Sequence, residues 1–168
     1  EEQQRGCLVI DSEGIDALDV NAAHDVRIFA LTVLLTSAFC YNSTSHIDEA
    51  AIQTLSLMTR VAGSLASASH TPLLYWILRD FSLQMVDERG KPMTHDEYLE
   101  SALEQPTTEA AATAGSSSKC ATREAIKTVF PERHLVTLPR PHAKGDASRV
   151  GPPSKTANPK FERCVHTF

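Results

Sequence analysis

The chain has four cysteines, Cys7, Cys40, Cys120 and Cys164, and no two of them form a C-x-x-C pair. Its seven histidines are scattered, without an H-x-x-x-H. The spacings of zinc fingers and zinc enzymes are therefore missing. Three of the cysteines sit in apolar runs, so reduced, buried thiols in a cytosolic protein are expected. A surplus of positive charge is also missing. The formal net charge of −5 argues against a nucleic-acid binder that works through a broad basic surface. The acidic, polar start shows no secretory leader. The longest apolar run, residues 26–41, is broken by Arg27, Thr32, Thr36 and Ser37, too short and too polar to span a bilayer.

What is present is ordinary globular composition. Of 168 residues, 42% are hydrophobic and 22% charged, enough for one domain, or a large part of one, with a real core. The stretch that organises the rest is Leu8-Val9-Ile10-Asp11-Ser12-Glu13-Gly14. Three apolar residues running into an acid read as a buried strand of a parallel sheet. Ligands bind just beyond the carboxyl ends of such strands. Asp11 is then expected at a pocket, and Gly14 allows close backbone approach. This is the D-x-x-G geometry of a phosphate and magnesium site. A second D-x-x-G, Asp87-Glu88-Arg89-Gly90, follows alternating residues and reads as a hairpin turn instead.

Further on, residues 15–24 are small and polar and read as a loop. Asp25 is an N-cap candidate for a buried helix over 26–34, followed by a strand over 37–42, although periodicity does not fix that boundary. A helix from Asp48 carries Ile52, Leu55, Leu57, Met58 and Val61 on its apolar side. The most hydrophobic strand spans 73–78 and ends in Arg79-Asp80. Thr94-x-x-Glu97 is a capping box for a helix over 94–104, which Pro106 stops. Residues 107–119 are Ala/Ser/Thr/Gly-rich and read as a flexible loop. A helix over 122–131, a strand over 134–138, a long loop over 142–157 and a helix starting at Pro159 complete the chain. Alternating strands and helices predict an α/β fold, a three-layer, doubly wound and mainly parallel sheet with right-handed crossovers.

Asp80 admits two readings. A carboxylate accepts two parallel hydrogen bonds, and guanine offers two adjacent donors on its Watson–Crick edge where adenine lacks the pair. Such charge-assisted bonds are worth ~1.5–3 kcal/mol each. Alternatively, Arg79 and Asp80 close the strand as a surface ion pair worth ~0–1 kcal/mol.

Several of these stretches together are similar to the guanylate-binding protein family of dynamin-related large GTPases. The resemblance rests on Asp11-Ser12-Glu13-Gly14-Ile15-Asp16-Ala17 followed by Ile28-Phe29-Ala30-Leu31-Thr32-Val33-Leu34-Leu35. It continues through His46-Ile47-Asp48-Glu49, Leu78-Arg79-Asp80-Phe81-Ser82-Leu83 and Thr94-His95-Asp96-Glu97-Tyr98-Leu99. Phe130-Pro131, Leu138-Pro139-Arg140-Pro141 and Pro159-Lys160-Phe161-Glu162 keep the order. The chain leans toward the plant and protist branch, and atlastins match less of it.

The resemblance implies the C-terminal portion of a G domain over residues 1–168. By it, Asp11 supports magnesium through water, Ser12 lies beside the nucleotide, and the Gly14 backbone meets the γ-phosphate of GTP. Glu13 helps organise the attacking water, which makes Glu13 and Gly14 the catalytic positions. Asp80 binds guanine while the Arg79 stem packs on the ring. Arg140, Pro141 and the 142–157 loop occupy the place of the guanine cap, which forms a homodimer of G domains. One departure stands out: the chain holds no G-x-x-x-x-G-K-[ST]. The phosphate loop, its lysine, its arginine and the first switch are expected upstream, in a longer protein whose helical stalk follows. Membrane association is expected only through parts outside this chain. Because hydrolysis depends on those parts, this chain alone is expected to bind GTP weakly or not at all. A non-catalytic interaction module that keeps the fold is the second reading, and an unrelated doubly wound domain, such as a hydrolase, the third.

Overall fold

The computed structural model describes residues 6–12, 22–65, 71–104, 115–141 and 159–167. Three strands, β1 (Ala38–Thr44), β2 (Leu73–Arg79) and β3 (Arg133–Leu138), form a parallel sheet in the order β1-β2-β3. Five helices accompany them: α1 (Ala22–Leu35), α2 (Glu49–Leu65), α3 (His95–Leu103), α4 (Gly115–Val129) and α5 (Pro159–Thr167). The α/β fold expected from the alternating pattern is present.

The most apolar strand takes the centre, where both faces are most covered. On one face of β2, Leu74, Trp76 and Leu78 are completely buried; on the other, Leu73, Tyr75 and Ile77 are half-buried. The register sets Tyr41, Trp76 and Leu135 side by side across the sheet. Aromatic contacts join this face to the helix layer. Phe29 of α1 meets Phe39 edge-on at 5.0 Å, and Phe39 stacks on Phe130, just past α4, at 5.8 Å. Tyr41 meets Trp76 edge-on at 5.1 Å. Offset and edge-to-face geometries suit the ring quadrupoles, adding ~0.5–1.5 kcal/mol per pair beyond burial.

Polar contacts fix the helices. The Asp48 carboxylate accepts the Ala51 N–H at 2.7 Å and so caps α2. The capping box of α3 forms in both directions: Thr94 Oγ1 accepts the Glu97 N–H, and the Glu97 carboxylate accepts the Thr94 N–H. Arg123 of α4 is buried, its guanidinium 2.8 Å from the Glu49 carboxylate of α2, and its Nε donates to the Ala102 carbonyl of α3. At the β3 edge, Asp96 accepts the Leu135 N–H at 2.9 Å and lies 3.0 Å from His134 Nδ1. Arg133 pairs with Glu100 at 2.5 Å. An edge strand whose N–H is taken by a side chain and whose neighbours are charged is blunted against further pairing.

Several expectations are corrected. Residues 8–10 form no strand; Leu8 and Val9 are 86% and 85% exposed. A strand needs a ladder partner, and β1 pairs with β2 alone among the described residues. Helix α1 starts at Ala22, so Asp25 sits in its first turn rather than capping it. It is not buried all round: Phe29, Ala30 and Val33 face the core, whereas Leu31 and Leu35 are exposed. On α2, Ile52 and Leu55 are buried and Leu57 is exposed; the side chains of Met58 and Val61 lie outside the described residues. Helix α4 begins at Gly115 rather than Thr122, because burial of Arg123, Ile126 and Phe130 anchors a helix that extends backward into a Ser-rich stretch. Cys7 and Cys40 are exposed and Cys120 and Cys164 half-buried. Alternation along β1 explains Cys40: Phe39 and Tyr41 take the covered face, and Cys40 takes the other. The 142–157 loop and residues 105–114 lie outside the described residues.

Two stability predictions follow from these contacts. Replacing Glu49 by Gln leaves the buried Arg123 without its counter-charge and lowers unfolding free energy by about 1–3 kcal/mol; an unchanged denaturation midpoint would refute the role given to the pair. The second concerns pH. The hydrogen bond to Asp96 raises the His134 pKa. For Asp96 the largest single effect, desolvation, acts upward, but the bonds from His134 and the Leu135 N–H outweigh it and hold the carboxylate low. A raised histidine contributes fully below its unfolded value, about 6.5, and the contribution disappears as pH rises through the higher folded value. A lowered carboxylate contributes above its unfolded value and loses that contribution as pH falls through the folded one. Stability is therefore expected to decline as pH rises through neutrality, and H134Q to flatten that decline in denaturation curves taken from about pH 6 to about pH 8.

Candidate functional site

The carboxyl end of β2 is the best-defined part of the sheet's ligand edge. Asp80 follows β2 directly and adopts φ 58°, a left-handed conformation that a non-glycine residue enters at a cost of ~1–2 kcal/mol. Aspartate is among the residues that tolerate it best. Two backbone hydrogen bonds on either side hold it there. The Ser45 N–H donates to the Arg79 carbonyl at 2.7 Å, and the Phe81 N–H donates to the Leu138 carbonyl at 3.1 Å. The chain is thus tied to β1 just before Asp80 and to β3 just after it. Ser45 is itself left-handed, φ 70°. Within β2, Trp76 is fully buried and its indole N–H donates to Ser43 Oγ at 2.9 Å. Phe81 packs edge-on against Tyr98 at 6.0 Å.

The Asp80 side chain is about two-fifths exposed, and Arg140 Nε lies 3.4 Å from its Oδ2. The sequence left open whether Arg79 and Asp80 pair with each other. They do not: Arg79 is exposed, and the ion pair of Asp80 is with Arg140, beyond the end of β3. That pairing was invisible in the sequence because it depends on β2 and β3 being neighbours. Pro141 is half-buried beside it in sequence. Arg79, Asp80 and Arg140 therefore meet at one edge, where the carboxylate is accessible and already drawn to a planar donor group.

Asp11 and Ser12 follow the exposed segment 8–10 rather than ending a strand, and both are exposed. No hydrogen bond or ion pair joins them to the Asp80–Arg140 pair among the described residues. Glu13 and Gly14 lie outside the described residues. Among the described residues there is also no group of three or more His, Cys, Asp or Glu side chains placed to hold a metal. The second D-x-x-G is the turn expected of it. Asp87 Oδ1 accepts the N–H groups of Arg89 and Lys91, and Gly90 supplies the positive φ of 78° that the turn requires.

Comparison with known proteins gives this edge a context. Residues 1–168 match the model of the guanylate-binding protein N-terminal domain. The chain is 32% identical over 159 residues to mouse guanylate-binding protein 2, covering 85% of this chain and 26% of that protein. It is 32% identical over 183 residues to human guanylate-binding protein 6, covering 96% of this chain and 28% of that protein. With human guanylate-binding protein 4 the identity is 38% over 112 residues, 57% of this chain and 17% of the other. The chain thus spans little more than a quarter of the length of the curated relatives it matches. A family match along its whole length, on a parallel sheet whose central strand ends in Arg79-Asp80, shows that the chain belongs to the guanylate-binding protein family.

Proposed function

We propose that this chain supplies the base-reading half of a GTP-binding and GTP-hydrolysing domain within a longer protein. The observation that carries the reading is Asp80, an accessible carboxylate held in a strained backbone conformation at the carboxyl end of the central parallel strand. That is where ligands of open α/β sheets bind. A carboxylate there accepts the guanine ring N–H and its exocyclic amino group together, while the exposed Arg79 stem offers a surface for the ring. Adenine presents no such donor pair, so the site selects guanine. Arg140 and Pro141 lie at the base end of the same site.

Asp11, Ser12, Glu13 and Gly14 belong, in this reading, to the phosphate end. Asp11 supports magnesium through water and Glu13 orients the attacking water. Asp11 alone does not make a metal site, and the rest of the ligands belong to the longer protein. Family membership and the D-S-E-G sequence support this half of the reading. The longer protein dimerises through its G domain, with the 142–157 loop contributing to the cap. A second reading, a non-catalytic interaction module that keeps the fold, is favoured by one observation: residues 8–10 are exposed and unpaired. A G-x-x-x-x-G-K-[ST] loop encoded upstream of Glu1 supports the GTPase; an upstream sequence without one supports the module.

In the longer protein, D80N is expected to exchange guanine for xanthine preference, because Asn donates to the xanthine carbonyl that replaces the amino group. The preference shifts by about tenfold or more, given ~1.5–3 kcal/mol per charged hydrogen bond. Competition between GTP and XTP measures this, and an unchanged ratio removes Asp80 from base recognition. For E13A, nucleotide affinity is expected to persist while turnover falls about 10²-fold; single-turnover hydrolysis at wild-type rate would contradict that role.

A further inference from the structure

Resting on the proposed guanine site, we infer that Phe81 is the positioning residue of that site: its ring, seated against Tyr98 of α3, holds the Asp80 carboxylate at the ligand edge. Successive side chains of a strand point to opposite faces. Leu74, Trp76 and Leu78 are buried on the helix-covered face of β2, and Arg79, the next residue, is exposed. Regular continuation of the strand would turn Asp80 toward the core and Phe81 out beside Arg79. The opposite is found. Asp80 takes φ 58° and keeps its side chain about two-fifths exposed, while Phe81 packs against the core cluster.

The driving force for that break in alternation sits on Phe81. A carboxylate in the core costs far more than one left-handed φ, and the phenyl ring gains by leaving water. Ser82, Leu83 and Gln84, which follow, are exposed, so Phe81 is the apolar anchor nearest Asp80 on that side. Its ring meets Tyr98 edge-on at 6.0 Å, a favourable geometry for two aromatic quadrupoles. Tyr98 is a fixed post. Leu99 beside it is completely buried, and two residues before it the Asp96 carboxylate accepts the Leu135 N–H of β3 at 2.9 Å. At the other end of α3, the Ala102 carbonyl accepts Arg123 Nε at 3.3 Å. The main-chain bond from the Phe81 N–H to the Leu138 carbonyl closes the same corner, but it does not choose which side chain enters the core. The Phe81 ring makes that choice, and so places the carboxylate outside.

Positioning leaves a mark that a purely structural role does not. Guanine and hypoxanthine share the ring N–H, but only guanine has the exocyclic amino group. The preference for guanine therefore reports whether the carboxylate is placed to accept both donors. A loss of folded protein lowers binding of both bases equally and leaves the preference unchanged. Competition between GDP and IDP for the longer protein, measured well below its unfolding midpoint, gives this ratio. Wild type is expected to prefer GDP about tenfold or more. F81A and Y98L are expected to bring the ratio toward one, and F81Y, which keeps the ring, to retain it. D80A is expected to lose the preference altogether.

The outcomes separate the positioning role from the site on which it rests. If D80A loses the preference but F81A and Y98L keep it, Phe81 is a core residue only and the base site stands. If F81Y loses the preference as F81A does, the ring is not what places Asp80 and the inference is again wrong. Should F81A fail to fold, Y98L, which keeps an apolar side chain on α3, decides in its place. If D80A keeps the wild-type preference, or wild type shows none, the base site fails and the positioning role with it.

Discussion

The backbone at Asp80 is the constraint on which the rest of this molecule depends. A left-handed aspartate is unfavourable by itself, and two backbone hydrogen bonds hold it: the Ser45 N–H donates to the Arg79 carbonyl on one side, and the Phe81 N–H donates to the Leu138 carbonyl on the other. Both exist only because β2 lies between β1 and β3 in parallel register. That register is in turn set by the apolar face of Phe39, Tyr41, Leu74, Trp76, Leu78 and Leu135, buried against the helix layer. Core packing thus fixes the position of one carboxylate at the ligand edge. The strain at Asp80 persists because the surrounding sheet over-determines it.

The two edges of the sheet differ in the same physical terms. At β3, Asp96 takes the Leu135 N–H, and Arg133 and His134 place charge along the strand. At β1, the sequence Ala-Phe-Cys-Tyr-Asn-Ser-Thr carries no charge and no proline, and among the described residues it pairs on one side only. The exposed Leu31, Leu35, Leu8 and Val9 belong to segments that have no apolar surface to cover them within the described residues. These features agree with a chain that spans about a quarter of its relatives' length. The carboxyl end of β2 is supported from within by its neighbours; residues 8–12 are not.

Much of this was legible in the residues. The run 73–78 is too apolar for anything but a central strand, and Thr94 with Glu97 announces the start of α3 through a local bond pair. Asp87 to Gly90 reads as a turn because Asp bonds its own backbone and Gly supplies the positive φ. In each case the deciding interaction is local in sequence. The failures have the opposite character. Residues 8–10 have the composition of a strand, but a strand exists only with a partner. Leu31 and Leu35 read as core because pattern alone cannot show how much of a helix is covered. The ion pair between Asp80 and Arg140 required two strands to be adjacent, which no spacing rule reveals.

The most direct test of the account is the structure of the longer protein with GDP bound. The account predicts the Asp80 carboxylate about 3 Å from both the ring nitrogen and the exocyclic amino group of guanine. A purine bound elsewhere, with the Asp80 carboxylate out of its reach, would contradict it.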